Sequence, residues 1–369
     1  MRGKPDLIEA TKTPRQLGYR MPAEWEPHEA TWLAWPHNPE DWPGKFAAIP
    51  WLYVEIVRLL AARERVHLIV EDATMEKRVV SMLERACASL DHVSFHRWPT
   101  DRGWTRDSGP IFVRNAKGQV GLTNWQFNGW AKYDDWHLDD KLPGRVTKLL
   151  GYPSWQPLVQ GQDGAKHCVL EGGSIDVNGE GALLTTEECL LSEVQQRNPG
   201  LSRAQIERVL SDYLGIDQVI WLGRGIAGDD THGHVDDIAR FAGPATIVAA
   251  VEPDTGDPNH APLAENLRRL KAVRTANGKQ FAIVELPMPR PVVFRRQRLP
   301  ASYANFYIAN GVVLMPTFHD PNDRVALNLL AEVFPDREVI GVHSMDLIWG
   351  LGALHCMTQQ QPKAGASKP

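Results

Sequence analysis

A cysteine set among glycines near the C-terminal end is the residue best equipped for covalent chemistry. Cys356 lies in Trp349-Gly350-Leu351-Gly352-Ala353-Leu354-His355-Cys356-Met357-Thr358-Gln359-Gln360, where glycine lets the backbone bend and approach a ligand closely. Three acid-bearing segments upstream can surround it: Trp104-Thr105-Arg106-Asp107, Glu171-Gly172-Gly173-Ser174 and Gly233-His234-Val235-Asp236. A thiol nucleophile, a histidine and several carboxylates suit attack on a cationic carbon, and a guanidinium is the obvious candidate. A second chemistry competes. Asp230-x-His232-x-His234-x-Asp236 puts four metal-ligand types on alternating positions, hence on one face of an extended segment, as a metallohydrolase site requires. That alternative gives Cys356 no part.

Residues so far apart need a scaffold that returns to one place repeatedly. Five short apolar runs suit buried strands: residues 30–35, 109–113, 181–186, 245–250 and 311–316, each bounded by glycine, proline or polar residues. They recur at roughly 65 to 80 positions, which predicts repeated modules. Helical spacing fills the gaps over 53–65 and 75–90, and Ser202 with Gln205 forms a capping box for a helix that Gly215 ends. A second strand follows, at 93–96, 218–221, 281–284 and 338–342. The candidate residues keep the same period: Asp107 to Glu171 is 64 positions, Glu171 to His234 is 63, and His234 to Cys356 is 122, about twice 61. The module near Arg295 to Tyr303 is therefore expected to add nothing to this set. Residues 1–361 read as one domain, with 362–369 as a frayed tail.

Composition narrows the function. The chain has 369 residues, 43% hydrophobic and 23% charged, enough for a large core. A net charge of -5 with no basic block argues against nucleic acid as the partner. Met1 to Arg20 is polar and no apolar stretch approaches the ~20 residues that span a bilayer, so neither leader nor membrane anchor is expected. Four cysteines (Cys87, Cys168, Cys189, Cys356) do not form a disulfide framework, and a reduced cytoplasmic setting is the expectation. Of these, Cys87 is expected in the core of an amphipathic stretch, and Cys168 and Cys189 are expected to pack beside strands. Asp107 has a plainer role available in an ion pair with Arg106, Glu171 in a turn, and Phe294 to Arg298 as a solvated loop face.

The motifs taken in order carry a family likeness. Met21-Pro22-Ala23-Glu24-Trp25-Glu26-Pro27-His28, Trp104-Thr105-Arg106-Asp107-Ser108-Gly109-Pro110, Phe127-Asn128-Gly129-Trp130, Leu170-Glu171-Gly172-Gly173-Ser174, Gly225-Ile226-Ala227-Gly228-Asp229-Asp230-Thr231, Gly233-His234-Val235-Asp236 and His355-Cys356-Met357-Thr358-Gln359-Gln360 run over nearly the whole chain. Together they resemble the agmatine deiminase / bacterial-type peptidylarginine deiminase family of the guanidino-group-modifying superfamily. The resemblance implies a five-bladed pseudo-symmetric α/β propeller (pentein) of ββαβ-type modules around a central active site. It also implies hydrolysis of a guanidine to a urea and ammonia without metal or cofactor, and a homo-oligomer, a dimer.

On that resemblance Cys356 attacks the guanidinium carbon, Asp107 and Asp236 hold the planar cation, His234 moves protons, and Glu171 orients His234. A cationic substrate lowers the pKa of the adjacent thiol, so the empty site is expected to hold mostly thiol. The substrate tail is less determined. Asn128 is a further expected substrate-binding residue; in the peptidylarginine relatives an arginine pair follows the matching asparagine, and here Gly129-Trp130-Ala131-Lys132 follows. Trp104, Trp130 and Asp230 suit an alkylammonium, which favours agmatine and the product N-carbamoylputrescine over arginine or peptidyl-arginine. Two positions depart from the agmatine deiminase pattern: His232, where aspartate is usual, and Ala131-Lys132, where a glycine pair is usual.

Overall fold

The computed structural model describes residues 12–161 and 164–365. Its framework is five mixed sheets that share one plan: an antiparallel pair of strands, then a helix, then a parallel partner for the middle strand. The unit centred on Ala182–Thr186 shows how sequence builds it. Asp176–Val177 runs antiparallel to this strand, with Asp176 opposite Leu184, and Gln218–Leu222 runs parallel to it from Ala182↔Gln218 to Thr186↔Leu222. The crossover helix Arg203–Leu214 opens on the expected capping box, Ser202 accepting from the Gln205 backbone and Gln205 from the Ser202 backbone. It ends at Gly215, whose φ of 71° closes the last turn in the left-handed region. Ile206, Val209, Leu210 and Leu214 form its buried stripe.

The same plan recurs in Ala239–Gly243, Thr246–Val251 and Ala282–Pro287 around helix His260–Ala272, and in Tyr307–Ala309, Val312–Thr317 and Glu338–His343 around helix Asn322–Val333. One unit departs from the expected register. Ile111–Asn115 is not a middle strand but the first, antiparallel one; the middle strand is Val120–Thr123, paired in parallel with Ser154–Trp155. Counting from Val120, middle strands begin 62, 64 and 66 positions apart (120, 182, 246, 312), a tighter period than the apolar runs suggested.

The remaining unit joins the two ends of the described chain. His28–Ala34 pairs in parallel with Arg65–Val70, and its antiparallel partner is Gln359–Pro362, with Trp32 opposite Gln359. Between the two parallel strands runs helix Ile49–Ala61, with Pro50 in its first turn, and helix Ala73–Arg85, capped by Asp72 on the Met75 backbone, follows Arg65–Val70. Pro362, Lys363 and Gly365 fall in the expected tail, yet all three are tied down. Pro362 lies in the last strand, Lys363 N–H donates to Pro27 O at 2.8 Å, and Gly365 N–H donates to Gly118 O at 2.9 Å; residues 366–369 lie outside the described residues. Trp32, Trp35 and Trp42 are buried, whereas Trp51 is exposed. Cys87 is also exposed, with φ 54° just past the end of its helix, which corrects the expectation of a core position. Among the described residues no helix is long and apolar enough to cross a membrane.

Candidate active site

In each of the five units a short turn immediately precedes the first antiparallel strand, and each turn delivers a side chain to one buried cluster. Thr105–Ser108 brings Asp107, Gly172–Ser174 follows Glu171, Val235–Asp237 brings Asp236 just after His234, and the turn before Gln359–Pro362 brings Cys356. The fourth turn, before Tyr307–Ala309, brings Asn305. That module was expected to contribute nothing; Asn305 Nδ2 in fact donates to Cys356 Sγ at 3.1 Å. No sequence signal marked Asn305, because an asparagine among Ser302, Tyr303, Ala304 and Phe306 has the composition of an ordinary buried turn.

Cys356 is 6% exposed, lines a cavity, and points its sulfur toward Asp236 Oδ2 at 3.7 Å. Burial, then the carboxylates of Asp236, Asp237 and Asp107, push the thiol well above its usual range, so the empty site holds thiol. The neighbouring His355 bridges two acids: Nδ1 lies 2.7 Å from Asp236 Oδ2 and Nε2 lies 2.8 Å from Glu24 Oε2. Burial would raise Asp236, but the hydrogen bond and charge of His355, and then His234, hold its carboxyl below the usual aspartate range. Its other oxygen, Oδ1, is buried without a partner. Glu24 also receives the Ile308 backbone N–H at 2.8 Å and ion pairs from Arg106 at 3.2 Å and Arg240 at 2.9 Å. Arg106 thus pairs with Glu24, not with Asp107.

His234 is fully buried, and no hydrogen bond reaches either ring nitrogen. Nδ1 lies 3.8 Å from Asp107 Oδ1, and Nε2 lies 3.9 Å from Glu171 Oε2. Burial opposes a charge on this ring, but Asp107, then Cys189 and Asp236, outweigh it and hold the imidazole protonated well above its ordinary range. Asp107 accepts from the Trp130 indole at 2.9 Å and the Gly173 backbone at 3.0 Å. Burial still pushes its carboxyl up to about 6, with Asp236 and Glu171 adding to the rise and His234 opposing it. Gly173 makes this packing possible: a Cβ there would lie 2.6 Å from His234 Nδ1 and 2.8 Å from Asp107 Oδ1. Glu171 is anchored by Arg197 Nε at 2.9 Å on Oε1, leaving Oε2 unpartnered toward His234.

The cavity above these groups measures about 460 Å³. Trp104 and Trp130 line it, Trp104 lying so close to Gly352 that a Cβ on that residue would come within 2.7 Å of the indole. Its rim carries Glu40, Asp41, Asp134, Asp135 and Asp230 against Arg102, an excess of acids that attracts cations. Asp230, the expected tail acceptor, is already engaged: Lys132 Nζ pairs with Oδ1 and Tyr133 donates to Oδ2 at 2.7 Å. Asn128 does not line this cavity. Its Oδ1 accepts from the Ala131 backbone at 2.9 Å and so shapes the turn that holds Trp130 at φ 56°.

The four alternating candidates for a metal do not gather. The segment is not extended, since His232 and Gly233 have φ of 64° and 94° and a 3₁₀ turn follows. Asp230 faces Lys132, His232 lies 3.1 Å from Ser192 Oγ, and Asp236 binds His355. Among the described residues, the group whose ligand atoms lie within 4.8 Å of one another is Glu171, Cys189 and His234, beside the Arg197 cation. Cys189 is thus buried as expected, but against His234 rather than only within the core.

Fold and site together define a repeated mixed-sheet α/β protein whose turns gather a cysteine, a histidine and several carboxylates. The family model described as Porphyromonas-type peptidyl-arginine deiminase matches residues 20–362. An agmatine deiminase of Ectopseudomonas mendocina is 36% identical over 95% of this chain and 98% of its own. One of Pseudomonas syringae pv. syringae is 37% identical over 95% and 97%. Among solved structures, the agmatine deiminase of Enterococcus faecalis superposes with a TM-score of 0.86 at 32% identity, covering 95% of this chain and 98% of that one. The C. jejuni agmatine deiminase with substrate bound gives 0.81 at 30%, covering 94% and 97%. The chain belongs to the Porphyromonas-type peptidyl-arginine deiminase family.

Proposed function

We propose that this chain hydrolyses the guanidinium of agmatine to N-carbamoylputrescine and ammonia through a covalent intermediate on Cys356. The observation that carries this reading is the cavity floor. There Cys356 and the carboxylate of Asp107 face one space, with Asp236 Oδ1 buried and unpartnered behind them. A guanidinium offers paired N–H donors in a plane, and Asp107 and Asp236 present the matching acceptors. Its positive charge replaces the thiol proton, which leaves to solvent. The thiolate attacks the central carbon and forms a neutral tetrahedral adduct. His234 gives its proton to one amino group, ammonia departs, and a cationic thiouronium remains. Neutral His234 then takes a proton from water, and the hydroxide adds to the same carbon. Collapse expels the thiolate, releases the hydroxyl proton and leaves the urea. Glu171, fixed by Arg197, keeps a negative charge beside His234 as it cycles.

Trp104 and Trp130 are proposed as the walls along the alkyl chain. The five sheets are proposed to form a five-bladed propeller around this site, in a homo-oligomer acting in the cytoplasm. The agmatine deiminase names of the relatives support the choice of substrate. A second substrate has an observation in its favour: Arg102 places a cation on the cavity lining, available to the carboxylate of free or peptidyl-arginine. Ammonia release measured on agmatine, free arginine and a C-terminal arginine peptide, beside Cys356→Ala, decides between them. Agmatine is expected to lead by at least tenfold and Cys356→Ala to be inactive on all three. An active Cys356→Ala would refute the covalent route.

A further inference from the structure

We propose that Asn305 is a further catalytic residue: its side-chain amide donates the hydrogen bond that holds the Cys356 sulfur as a thiolate while substrate is bound. This rests on the proposed role of Cys356 as nucleophile. The amide can face only one way. Asn305 is fully buried, and its Oδ1 meets the backbone N–H of His355 at 3.0 Å and of Cys356 at 3.4 Å. Both are donors, so oxygen must occupy that side. The two Nδ2 protons then fall on the other side, one on Asp237 Oδ1 at 3.0 Å and one on Cys356 Sγ at 3.1 Å.

The sulfur needs such a donor. Asp236, Asp237 and Asp107 crowd it with acidic groups, which with burial resist a negative charge on the sulfur. Against them stand the Asn305 amide and the Ala353 backbone N–H. A thiol accepts a hydrogen bond weakly and a thiolate strongly, so the Asn305 bond gains strength as the S–H bond breaks and its proton leaves. Asn305 itself gains and loses no proton. The same amide also ties the fourth unit to the turn of the last, which gives that unit its part in the site.

The test reads sulfur ionisation and not turnover. Thiolate absorbance is titrated with millimolar guanidinium chloride present as the cationic probe. Each protein is measured as the difference from its own Cys356→Ala counterpart. In Asn305→Ala the midpoint is expected to rise by about one pH unit, a tenfold loss of thiolate at fixed pH. A role confined to holding the turn predicts the opposite sign, because a loosened turn hydrates the sulfur and lowers the midpoint. Asn305→Leu keeps the shape of the side chain and removes the amide protons without adding a charge, so its midpoint rises as well. It serves if the alanine variant does not fold. An unchanged or lowered midpoint in a folded variant overturns the proposal. Ammonia release that survives Cys356→Ala overturns the covalent mechanism instead and leaves this titration as it stands.

Discussion

A carboxylate proposed to hold a guanidinium, and so to work charged, stands at Asp107, where charge is least welcome. Its pKa near 6 against an ordinary 3.8 means the native state binds that proton more tightly than the unfolded chain does. The group's contribution to stability therefore falls as pH rises from about 4 to about 6. The site opposes the fold at the pH where it works, a common cost of a functional cluster. The same shift sets a kinetic limit. Below pH 6 Asp107 becomes protonated, and one of the two proposed guanidinium acceptors is lost. His234, held protonated by Asp107 and its other neighbours, adds no limb in that range. Because the thiol of the free enzyme also loses a proton on binding, kcat/KM is expected to fall about tenfold per unit as pH drops toward 6 and to steepen to about a hundredfold per unit below it, where Asp107 adds its own proton. A slope that does not steepen between pH 6 and pH 5 would contradict the assignment of Asp107 to the cation.

At the scale of elements, the turns matter more than the strands that precede and follow them. Gly173 has an ordinary backbone conformation, and only space forbids a side chain there, since a Cβ would press on His234, Asp107 and Asp236 at once. Gly173→Ala is expected to leave circular dichroism unchanged and to lower kcat at least a hundredfold, because displacement near 1 Å at reacting groups costs about that much. Ser202→Ala is the matched control. It removes the capping box of Arg203–Leu214, costs about 1 kcal/mol of stability in a urea melt, and leaves kcat in place. Equal kcat losses in the two variants would mean that Gly173 acts through general stability. Strands and caps were legible in the sequence because they obey local rules: apolar runs bounded by glycine, and a serine three residues before a glutamine. The register of Ile111–Asn115 was not, since nothing local distinguishes a first strand from a middle one. That Asp107, Glu171, His234, Asp236 and Cys356 lie in one cluster was legible through type and spacing. Asn305, the His355–Glu24 bridge and the Lys132–Asp230 pair were not, because each is a contact between units far apart in the chain.

For the whole molecule, the carboxylate of Glu24 acts as a hub. It lies ahead of the first sheet unit and receives Arg106, Arg240, the Ile308 backbone and His355, which belong to four other parts of the chain. Burial would raise its pKa, but Arg240, His355 and Arg106 hold it well below its ordinary value of 4.5. The folded value is depressed, so this group's stabilisation is fully present above about pH 4.5 and is lost as pH falls toward the folded value. Glu24→Gln keeps the shape and removes the charge, leaving buried Arg106 and Arg240 under-compensated. Breaking a buried ion network from one side costs roughly 3–5 kcal/mol. Urea melts at pH 7 are expected to show a loss of that order, shrinking as pH is lowered below 4.5, where the wild-type carboxylate begins to lose its advantage. A difference between the two proteins that stays constant from pH 7 to pH 4 would mean that shape and not charge holds these four segments together.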